Sequence, residues 1–494
     1  MSLKARVSGR LHKIRQFASA LWSDTGGVIL PYVTVMLPVI VGVSCLALDG
    51  ARLMSLHTQL QNEADALALA AAAELDRLPD AETRARRAIE RLLAKQTLFG
   101  AHSNRKNQPA VVQFYSRLPA KDSEPMSGGT LASGPESARF VSVTVHPVTL
   151  PTILPTAFVG GANSTISSAS AVAGFDQVVC GVTPIYVCNP FEAPGMTYEH
   201  ATEMLQLAAV DKRSQSRLIR LRQYDGNAPY TAADYGFLDV PALTRDEADL
   251  VDSLAVQRPA ACLMQRAVNF RRGFAKSVRE GFNVRFDLYE NSMSEKNKDN
   301  NYPPAQNVRK GYVLPAGGVD EKDNFCSMRR GSNWPIGSPP EQVTGLPLDR
   351  TWAPDNARIG EGDWDLETYW QVNHGGGFPV KDNDLPSRYY VYRFEIEQGL
   401  IGDVSQGGES GAPVCYSGGG TRAAPDRRIL HAAIINCQSL RLVGDAQSNI
   451  PVAAFGKLFL TLPLAQSQTD LYVELVGLVQ PGDGVSYDVV QLYR

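Results

Sequence analysis

The sequence has no strong excess of charge of either sign and no dense cysteine or histidine motif. Its 494 residues include 48 Lys and Arg against 51 Asp and Glu, a formal net charge of −3. This balance gives no electrostatic reason to expect nucleic-acid binding, because proteins that bind nucleic acids neutralise phosphates with a marked excess of Lys and Arg. The seven cysteines include no Cys-x-x-Cys pair, so the spacing typical of a zinc site is absent. We expect no cofactor, no metal and no nucleic-acid partner.

Long hydrophobic runs are also absent, with one exception near the N-terminus. The 23 residues from Gly26 to Leu48 carry no charge, and about 20 apolar helical residues cross the hydrocarbon core of a bilayer. Residues 1–25 form a basic leader, and Lys and Arg are retained on the cytoplasmic side of a membrane. The pattern predicts a single transmembrane helix over 26–48 with a cytoplasmic N-terminus. The alternative is a cleaved signal peptide, whose apolar core of about 7–15 residues is shorter than this run.

The segment that follows lacks helix breakers. From Asp49 to Leu78 there is no proline and one glycine, which favours a helix that continues out of the membrane. Leucines recur every seven residues and form a seam: Leu46, Leu53, Leu60 and Leu67. Such a seam suits close packing against another helix, either in an assembly or within the protein's own domain. A Pro-Asp pair then predicts a break and a second, amphipathic helix over 81–93, which completes a helical stalk over 49–99.

An ordered set of residues accompanies these helices. It consists of Gly26-Gly27, Pro31, Pro38, Asp49-Gly50-Ala51-Arg52, Leu60-Gln61, Asp65-Ala66 and Ala70–Ala73. With the basic leader, this set resembles the TadE/TadG-like N-terminal segment of the bacterial Flp, or tight-adherence (Tad), pilus machinery. The resemblance implies a single-pass protein of the bacterial inner membrane. It also implies that the N-terminal helix contacts other membrane or pilus-assembly proteins.

One departure from the family's pattern indicates which branch of the family the sequence resembles. Pilin-like members that a prepilin peptidase processes usually carry a Glu five residues after the cleaved glycine. Here Pro31 and Tyr32 stand at the two corresponding positions. The resemblance therefore favours the larger TadG-like branch, an anchored component, over a polymerising subunit.

Six cysteines lie beyond the predicted membrane helix: Cys180, Cys188, Cys262, Cys326, Cys415 and Cys437. An even number in an extracytoplasmic region indicates up to three disulfides, since that compartment is oxidising. Six cysteines allow 15 pairings. The pairing with the shortest loops is 180–188, 262–326 and 415–437, and we expect it on that ground.

The exported region is expected to form a small β-rich unit over 100–175 and a large unit over 176–494. Residues 100–174 also look like the family's membrane-proximal region, in which strands precede a Ser/Ala-rich segment. In the large unit, hydrophobic patterns predict strands over 182–187, 282–286, 389–395, 429–436 and 471–479 and helices over 199–207, 246–257 and 264–281. This mixture indicates an α/β or α+β domain. Residues 291–387, rich in Gly, Pro, Asn and Asp, indicate a long irregular insertion.

Large TadG-like proteins often carry a von Willebrand A-type domain at this position. Its first strand leads into Asp-x-Ser-x-Ser, whose oxygens hold a divalent metal. Here the strand predicted over 182–187 leads into Cys188-Asn189-Pro190-Phe191 instead. The resemblance thus implies a degenerate, metal-free relative of that domain, or a different domain.

A candidate catalytic motif is Gly-Glu-Ser-Gly-Ala-Pro over 408–413. It is similar to the Gly-Asp-Ser-Gly-Gly-Pro nucleophile loop of trypsin-like proteases. Serine catalysis also requires a histidine base and an acid that orients it, and no histidine stands in the corresponding context. We interpret the motif as a turn near a disulfide at Cys415.

Two further patterns have a functional and a structural interpretation. The acid pairs Asp287 with Glu290 and Asp363 with Asp365 could serve acid–base chemistry or bind calcium, but neither lies in a recognisable calcium loop. Since Asp287 and Glu290 follow the strand predicted over 282–286, we expect them to face water. Four tryptophans within residues 334–370 could stack on carbohydrate, yet a small core beneath the insertion is the preferred interpretation.

Taken with the resemblance, these patterns predict a non-enzymatic, single-pass membrane component of a Flp/Tad-type pilus assembly or secretion system. Its disulfide-bearing extracytoplasmic domain would serve assembly or surface interaction. The alternative is a membrane-tethered exported hydrolase or glycan-binding protein with residues 176–494 as the active module.

Overall fold

The computed structural model shows two compact units: Met1–Phe175 together with Val490–Arg494, and Asp176–Val489. It describes residues 29–75, 80–95, 111–119, 124–153, 161–226, 228–240, 243–244, 246–259, 261–265, 267–272, 277–311, 326, 344–352, 358–380, 386–402, 408–419, 425–464, 469–480 and 482–493. The fold is mixed α/β with one long apolar N-terminal helix.

Two helices begin the first unit. Helix α1 spans Ile29–Ala72, 44 residues, which corresponds to about 66 Å at 1.5 Å per residue. Helix α2 spans Ala81–Lys95, so the helix predicted over 81–93 is confirmed. The two helices pack against each other along their small residues, and Ala64, Ala68 and Ala85 are fully buried.

An antiparallel sheet covers one side of α1. Its strands are β1 (Val111–Arg117), β2 (Thr130–Leu131), β3 (Phe140–Thr144) and β6 (Ser170–Cys180), and β3 pairs with both β1 and β6. Strands β4 (Val148–Pro151) and β5 (Ser164–Ser167) form a separate two-stranded hairpin. Because side chains alternate along a strand, Val141 and Val143 of β3 enter the same core as the alanines of α1.

A closed six-stranded barrel forms the centre of the second unit. Its strands are β7 (Ile185–Cys188), β8 (Leu218–Gln223), β9 (Asp234–Phe237), β11 (Ile429–Ile435), β12 (Ala454–Leu460) and β13 (Leu471–Leu478), in the order β11-β12-β13-β8-β9-β7. The pairs β11–β7 and β8–β9 are parallel, and the other pairs are antiparallel. Alternate residues such as Leu430, Ala432 and Ile434 share one apolar core.

Short helices and two further strands complete the second unit. The helices are α3 (Tyr198–Val210), α4 (Lys212–Gln215), α5 (Glu247–Ala255), α6 (Val278–Asn283), α7 (Leu366–His374) and α8 (Arg388–Glu397). Strand β10 (Cys262–Met264) pairs with the end of β6, and β14 (Ser486–Leu492) also pairs with β6. The strands predicted over 429–436 and 471–479 and the helices over 199–207 and 246–257 are confirmed within one to three residues.

Three of the predicted elements are wrong. Residues 389–395 form helix α8, because Ser387 caps its first turn and the buried positions Arg388, Val391, Tyr392 and Glu395 follow a helical period. Residues 282–286 end α6 and continue as a 3-10 turn rather than a strand. Of the helix predicted over 264–281, Met264 lies on β10, helix begins only at Val278, and 273–276 lie outside the described residues.

The disulfide pairing expected from loop length is also wrong. The structure joins Cys180 to Cys262, Cys188 to Cys437 and Cys326 to Cys415. Strand register explains two of these pairs. Cys180 stands opposite Cys262 in the β6–β10 pair. Cys188 ends β7 beside Ile435 of β11, two residues before Cys437.

Candidate functional site

The lower part of α1 presents an apolar surface that no other described part of the protein covers. Eleven large hydrophobic side chains are exposed along it: Tyr32, Val33, Val35, Met36, Leu37, Val39, Ile40, Val41, Val43, Leu46 and Leu48. Among the described residues, the segment Tyr32–Ala72 is the helix that is long and apolar enough to cross a membrane, by length and composition. A surface of this kind on a helix of this length fits a membrane anchor.

The upper part of α1 is a core element of its own unit. Leu60, Leu67 and Ala71 are at most 1% exposed and pack with Ile89 of α2 and Val143 of β3. Alanines on this face let the helix approach the sheet closely, since they add no bulk beyond Cβ.

The four seam leucines therefore fall in different environments. Leu60 and Leu67 are buried in the first unit, Leu53 is half-buried, and Leu46 is 62% exposed. The upper half of the seam packs on the protein's own domain. The lower half is open to a partner or to lipid.

The Asp-Gly-Ala-Arg sequence at 49–52 ties α1 to the β4–β5 hairpin. Both carboxylate oxygens of Asp49 accept a hydrogen bond from the backbone N–H of Ile153 at 2.9 Å. The Arg52 guanidinium lies 3.5 Å from the Asp49 carboxylate and donates to the carbonyl of Pro151 at 3.4 Å. One turn of helix thus fixes one strand end of the hairpin.

Two other residues of the family-like set also hold α1 in place. The Gln61 amide donates to the Asp65 carboxylate at 2.8 Å and to the Ser170 carbonyl at 3.4 Å. Ser170 begins β6. Three of the residues that carry the resemblance, Asp49, Arg52 and Gln61, therefore connect the helix to the adjoining strands, while its lower surface remains exposed.

In the protease-like loop, Ser410 has a hydrogen-bond partner other than a described histidine. The Ser410 hydroxyl accepts a hydrogen bond from the Ala412 N–H at 3.3 Å, within its own loop. His374 Nε2 lies 2.8 Å from Glu395 Oε1, so that carboxylate is its partner. Among the described residues, the arrangement that serine catalysis needs is not assembled.

Two buried carboxylates hold this loop instead. Glu409 accepts from the backbone N–H groups of Lys310 and Gly311 at 3.0 and 2.8 Å. Asp287 accepts from the backbone N–H groups of Val414, Cys415 and Tyr416 at 2.7–2.9 Å.

The expectation that Asp287 and Glu290 face water is wrong. Asp287 is fully buried and Glu290 is 7% exposed, with the Arg279 guanidinium at 2.7 Å. Asp365 caps α7 by accepting from the N–H of Thr368, whereas Asp363 is exposed. Burial raises the pKa of Asp287 despite the opposing effects of Lys310 and the three N–H donors. It likewise raises the pKa of Glu409 to about 7 against the same lysine.

Buried ion pairs join α8 to the barrel, and the sequence patterns do not predict them. Arg388 of α8 donates to Glu474 of β13 at 2.8 Å and pairs with Asp349 at 2.5 Å. Burial raises the pKa of Glu474 to about 7, while Arg388 acts in the opposite direction. Because these side chains are buried, a substrate cannot reach them. Their geometry supports a structural role, in which they hold α8 on the barrel. The sequence does offer one indication of them, since Arg388 and Glu395 recur at a helical period with the aromatic residues between them. A strand over 389–395 does not place these two charges on one face.

Two of the four tryptophans form part of a small core. Trp364 and Trp370 are buried with Leu366, Tyr369 and Tyr392, so they offer no exposed face for a sugar ring. Trp352 lies edge-on to Tyr472 with ring centroids 6.4 Å apart. Trp334 lies outside the described residues.

Comparison with known proteins finds one family. Residues 26–74 match the family described as "Tad: Putative Flp pilus-assembly TadE/G-like". This range coincides with α1 and ends two residues after it. No curated protein and no solved structure matches the chain.

Proposed function

We propose that this protein is a single-pass component of a bacterial Flp/Tad-type pilus assembly or secretion system, anchored in the inner membrane. In this proposal residues 26–48 cross the membrane, residues 1–25 are cytoplasmic, and the rest is extracytoplasmic. The coincidence of the family match with α1 carries the proposal, because that helix combines an exposed apolar half with a half packed on its own unit.

The exposed half of α1 is proposed to contact other membrane or pilus-assembly proteins. Leu46 and its exposed neighbours supply the contact, whereas Leu60 and Leu67 are already occupied by the protein's own core. We further propose that the protein belongs to the larger TadG-like branch and stays anchored rather than polymerising. In this proposal no prepilin peptidase cleaves it near Gly26 and Gly27.

Residues 176–494 are proposed to act without catalysis, in assembly or at the cell surface. Three disulfides suit an oxidising compartment. Among the described residues, Ser410 bonds within its own loop and Trp364 and Trp370 pack in a core, which supports a non-catalytic role over a tethered hydrolase or glycan binder. We also retain two predictions from the sequence. Residues 49–99 form a helical stalk, and residues 176–494 form a degenerate relative of the von Willebrand A-type domain.

The decisive experiment replaces the membrane span alone. Residues 26–48 are exchanged for an unrelated apolar helix of equal length, which leaves the buried Leu60 and Leu67 in place. We expect the exchanged protein to reach the membrane with its disulfides formed but to lose pilus assembly or secretion in the native cell. Full function after the exchange would contradict a role for the helix surface in assembly.

A matched control exchanges three exposed residues of the large unit instead. Val443, Glu295 and Glu203 are exposed and lie far along the chain from α1. Their replacement by serine is expected to leave assembly intact. Fusions of alkaline phosphatase after residue 75 and of a cytoplasmic reporter at the N-terminus check the orientation independently.

A further inference from the structure

We propose that the β4–β5 hairpin lies on the lipid surface where α1 leaves the membrane, with Ile153 and Ile166 inserted between the lipid headgroups. The inference rests on the proposed membrane crossing of residues 26–48. It concerns a contact with lipid, in addition to any contact with assembly proteins.

The first argument is the attachment of the hairpin to α1. Asp49 is the residue that directly follows the uncharged run, and its carboxylate holds the Ile153 N–H at 2.9 Å. Arg52, one turn further, reaches the carbonyl of Pro151. The side chain of Asp49 is only 13% exposed. The hairpin is therefore fixed at the level where the helix emerges.

The second argument is depth. At 1.5 Å per residue, Arg52 lies about 6 Å beyond Leu48 along the helix. The headgroup layer on each side of a bilayer of about 40–45 Å with a 30 Å core is about 5–7.5 Å thick. With Leu48 at the edge of the hydrocarbon core, both attachment points of the hairpin fall inside the headgroup layer.

The third argument is composition and exposure. No Asp, Glu, Lys or Arg occurs from Pro147 to Phe175, so the hairpin has no charged side chain that would require water. Ile166 is 69% exposed and Ile153 is 48% exposed. Single exposed apolar residues are ordinary on soluble surfaces, but here they occur on an uncharged hairpin beside the membrane span. Amphipathic helices at a membrane surface bury apolar side chains about 5–10 Å into the boundary between headgroups and acyl chains, and the two isoleucines would occupy the same layer.

The test measures depth in the full-length protein in vesicles of phosphatidylethanolamine and phosphatidylglycerol. In a Cys45→Ser background, single cysteines are introduced by Ile166→Cys, Ile153→Cys, Val39→Cys and Leu131→Cys and labelled with an environment-sensitive fluorophore. Val39 lies within the proposed membrane span. Leu131 is a matched control, because it is 59% exposed on β2 of the same unit. Quenching is compared between lipids that carry a nitroxide near the headgroup, lipids that carry one deep in the acyl chain, which reach Val39, and iodide in the buffer.

The emission of labels at positions 153 and 166 is expected to shift to the blue and to be quenched by the lipid with the headgroup nitroxide. The label at position 131 is expected to be quenched by iodide alone. If Val39 is quenched by lipid but both hairpin labels respond only to iodide, the hairpin inference is overturned and the membrane crossing stands. If the Val39 label also responds only to iodide, the crossing itself fails and the hairpin inference fails with it. Equal lipid quenching at Leu131 and Ile166 would mean that the contact is not a property of the hairpin, which also overturns the inference.

Discussion

Asp287 shows how one side chain can hold a distant loop. Its backbone is in the left-handed region with φ 63°, which Asp tolerates better than most residues. Its carboxylate accepts three consecutive N–H groups of residues 414–416, more than 120 positions later in the chain. A buried backbone donor without a partner is costly, so the loop depends on this carboxylate.

Replacing Asp287 with Ala should destabilise the large unit strongly. The change leaves three N–H groups without their acceptor, and we expect a loss of about 2–5 kcal/mol in the free energy of unfolding. Urea-induced unfolding of the full-length protein in detergent measures it. Asp363→Ala is the control, because that side chain is half exposed and surface pairs contribute about 0–1 kcal/mol. Equal losses in the two variants would contradict the bracing role.

Glu409 should make stability depend on pH. Burial raises its folded pKa to about 7 from about 4.3 in unfolded chains. The folded state therefore retains a proton that the unfolded chain releases. This stabilisation is fully present below about pH 4 and is lost as the pH rises through about 7.

The variant Glu409→Gln should consequently flatten the dependence of the melting temperature on pH. Between pH 5 and pH 7.5 we expect the parent to lose about 2.5 kcal/mol more than the variant. The raised pKa of Glu474 has the same sign and leaves a residual slope in the variant. The control Glu295→Gln changes an exposed side chain and should keep the parent's slope. A variant with the parent's slope would show that Glu409 does not bind this proton.

At the scale of elements, the upper half of α1 packs in the core of the first unit, whereas its lower half is exposed. The seven-residue leucine spacing is the same in both halves, but Leu67 is buried in the first unit and Leu46 is exposed. The spacing predicts that a seam exists and cannot tell which surface covers it. That information lies in β3, about 75 residues later, whose Val141 and Val143 complete the core.

The two leucines provide a matched pair for testing this division. Leu67→Ala should lower the free energy of unfolding of the first unit by about 2–5 kcal/mol, because it removes a fully buried side chain. Leu46→Ala should leave that stability unchanged and weaken assembly in the native cell. Thermal unfolding in detergent and a pilus or secretion assay measure the two effects. Comparable destabilisation by both variants would show that Leu46 is also part of the unit's core.

The sequence predicts well those elements whose pattern is local, and it predicts poorly those whose buried face depends on distant residues. Strands at 429–435 and 471–478 have nearly continuous apolar runs, and the long apolar helix needs no tertiary information. The strand predicted over 389–395 is wrong because Arg388 and Glu395 belong to the buried face of the helix over 388–397, which hydrophobicity alone does not reveal. Their burial depends on Glu474 and Arg309, which are far away in the chain.

At the scale of the whole molecule, disulfides follow strand neighbours rather than loop length. The Cys188–Cys437 bond spans 249 positions of sequence, yet it joins the ends of two adjacent parallel strands of the barrel. Closing a parallel pair requires a long connection. For that reason the cysteines that meet there cannot be close in sequence, and a pairing by shortest loop fails.

This connectivity predicts a specific peptide map. Protease digestion without reduction should release the linked pairs 180–262, 188–437 and 326–415, and mass spectrometry identifies them. Removing the second pair with Cys188→Ala and Cys437→Ala should cost about 5 kcal/mol in the chain-entropy account, because a loop of 249 residues is then no longer closed in the unfolded state. The double variant Cys180→Ala with Cys262→Ala opens a loop of 82 and should cost less. Recovery of peptides linked 180–188 or 415–437 would instead require a different arrangement of β7 and β11, and with it a different barrel.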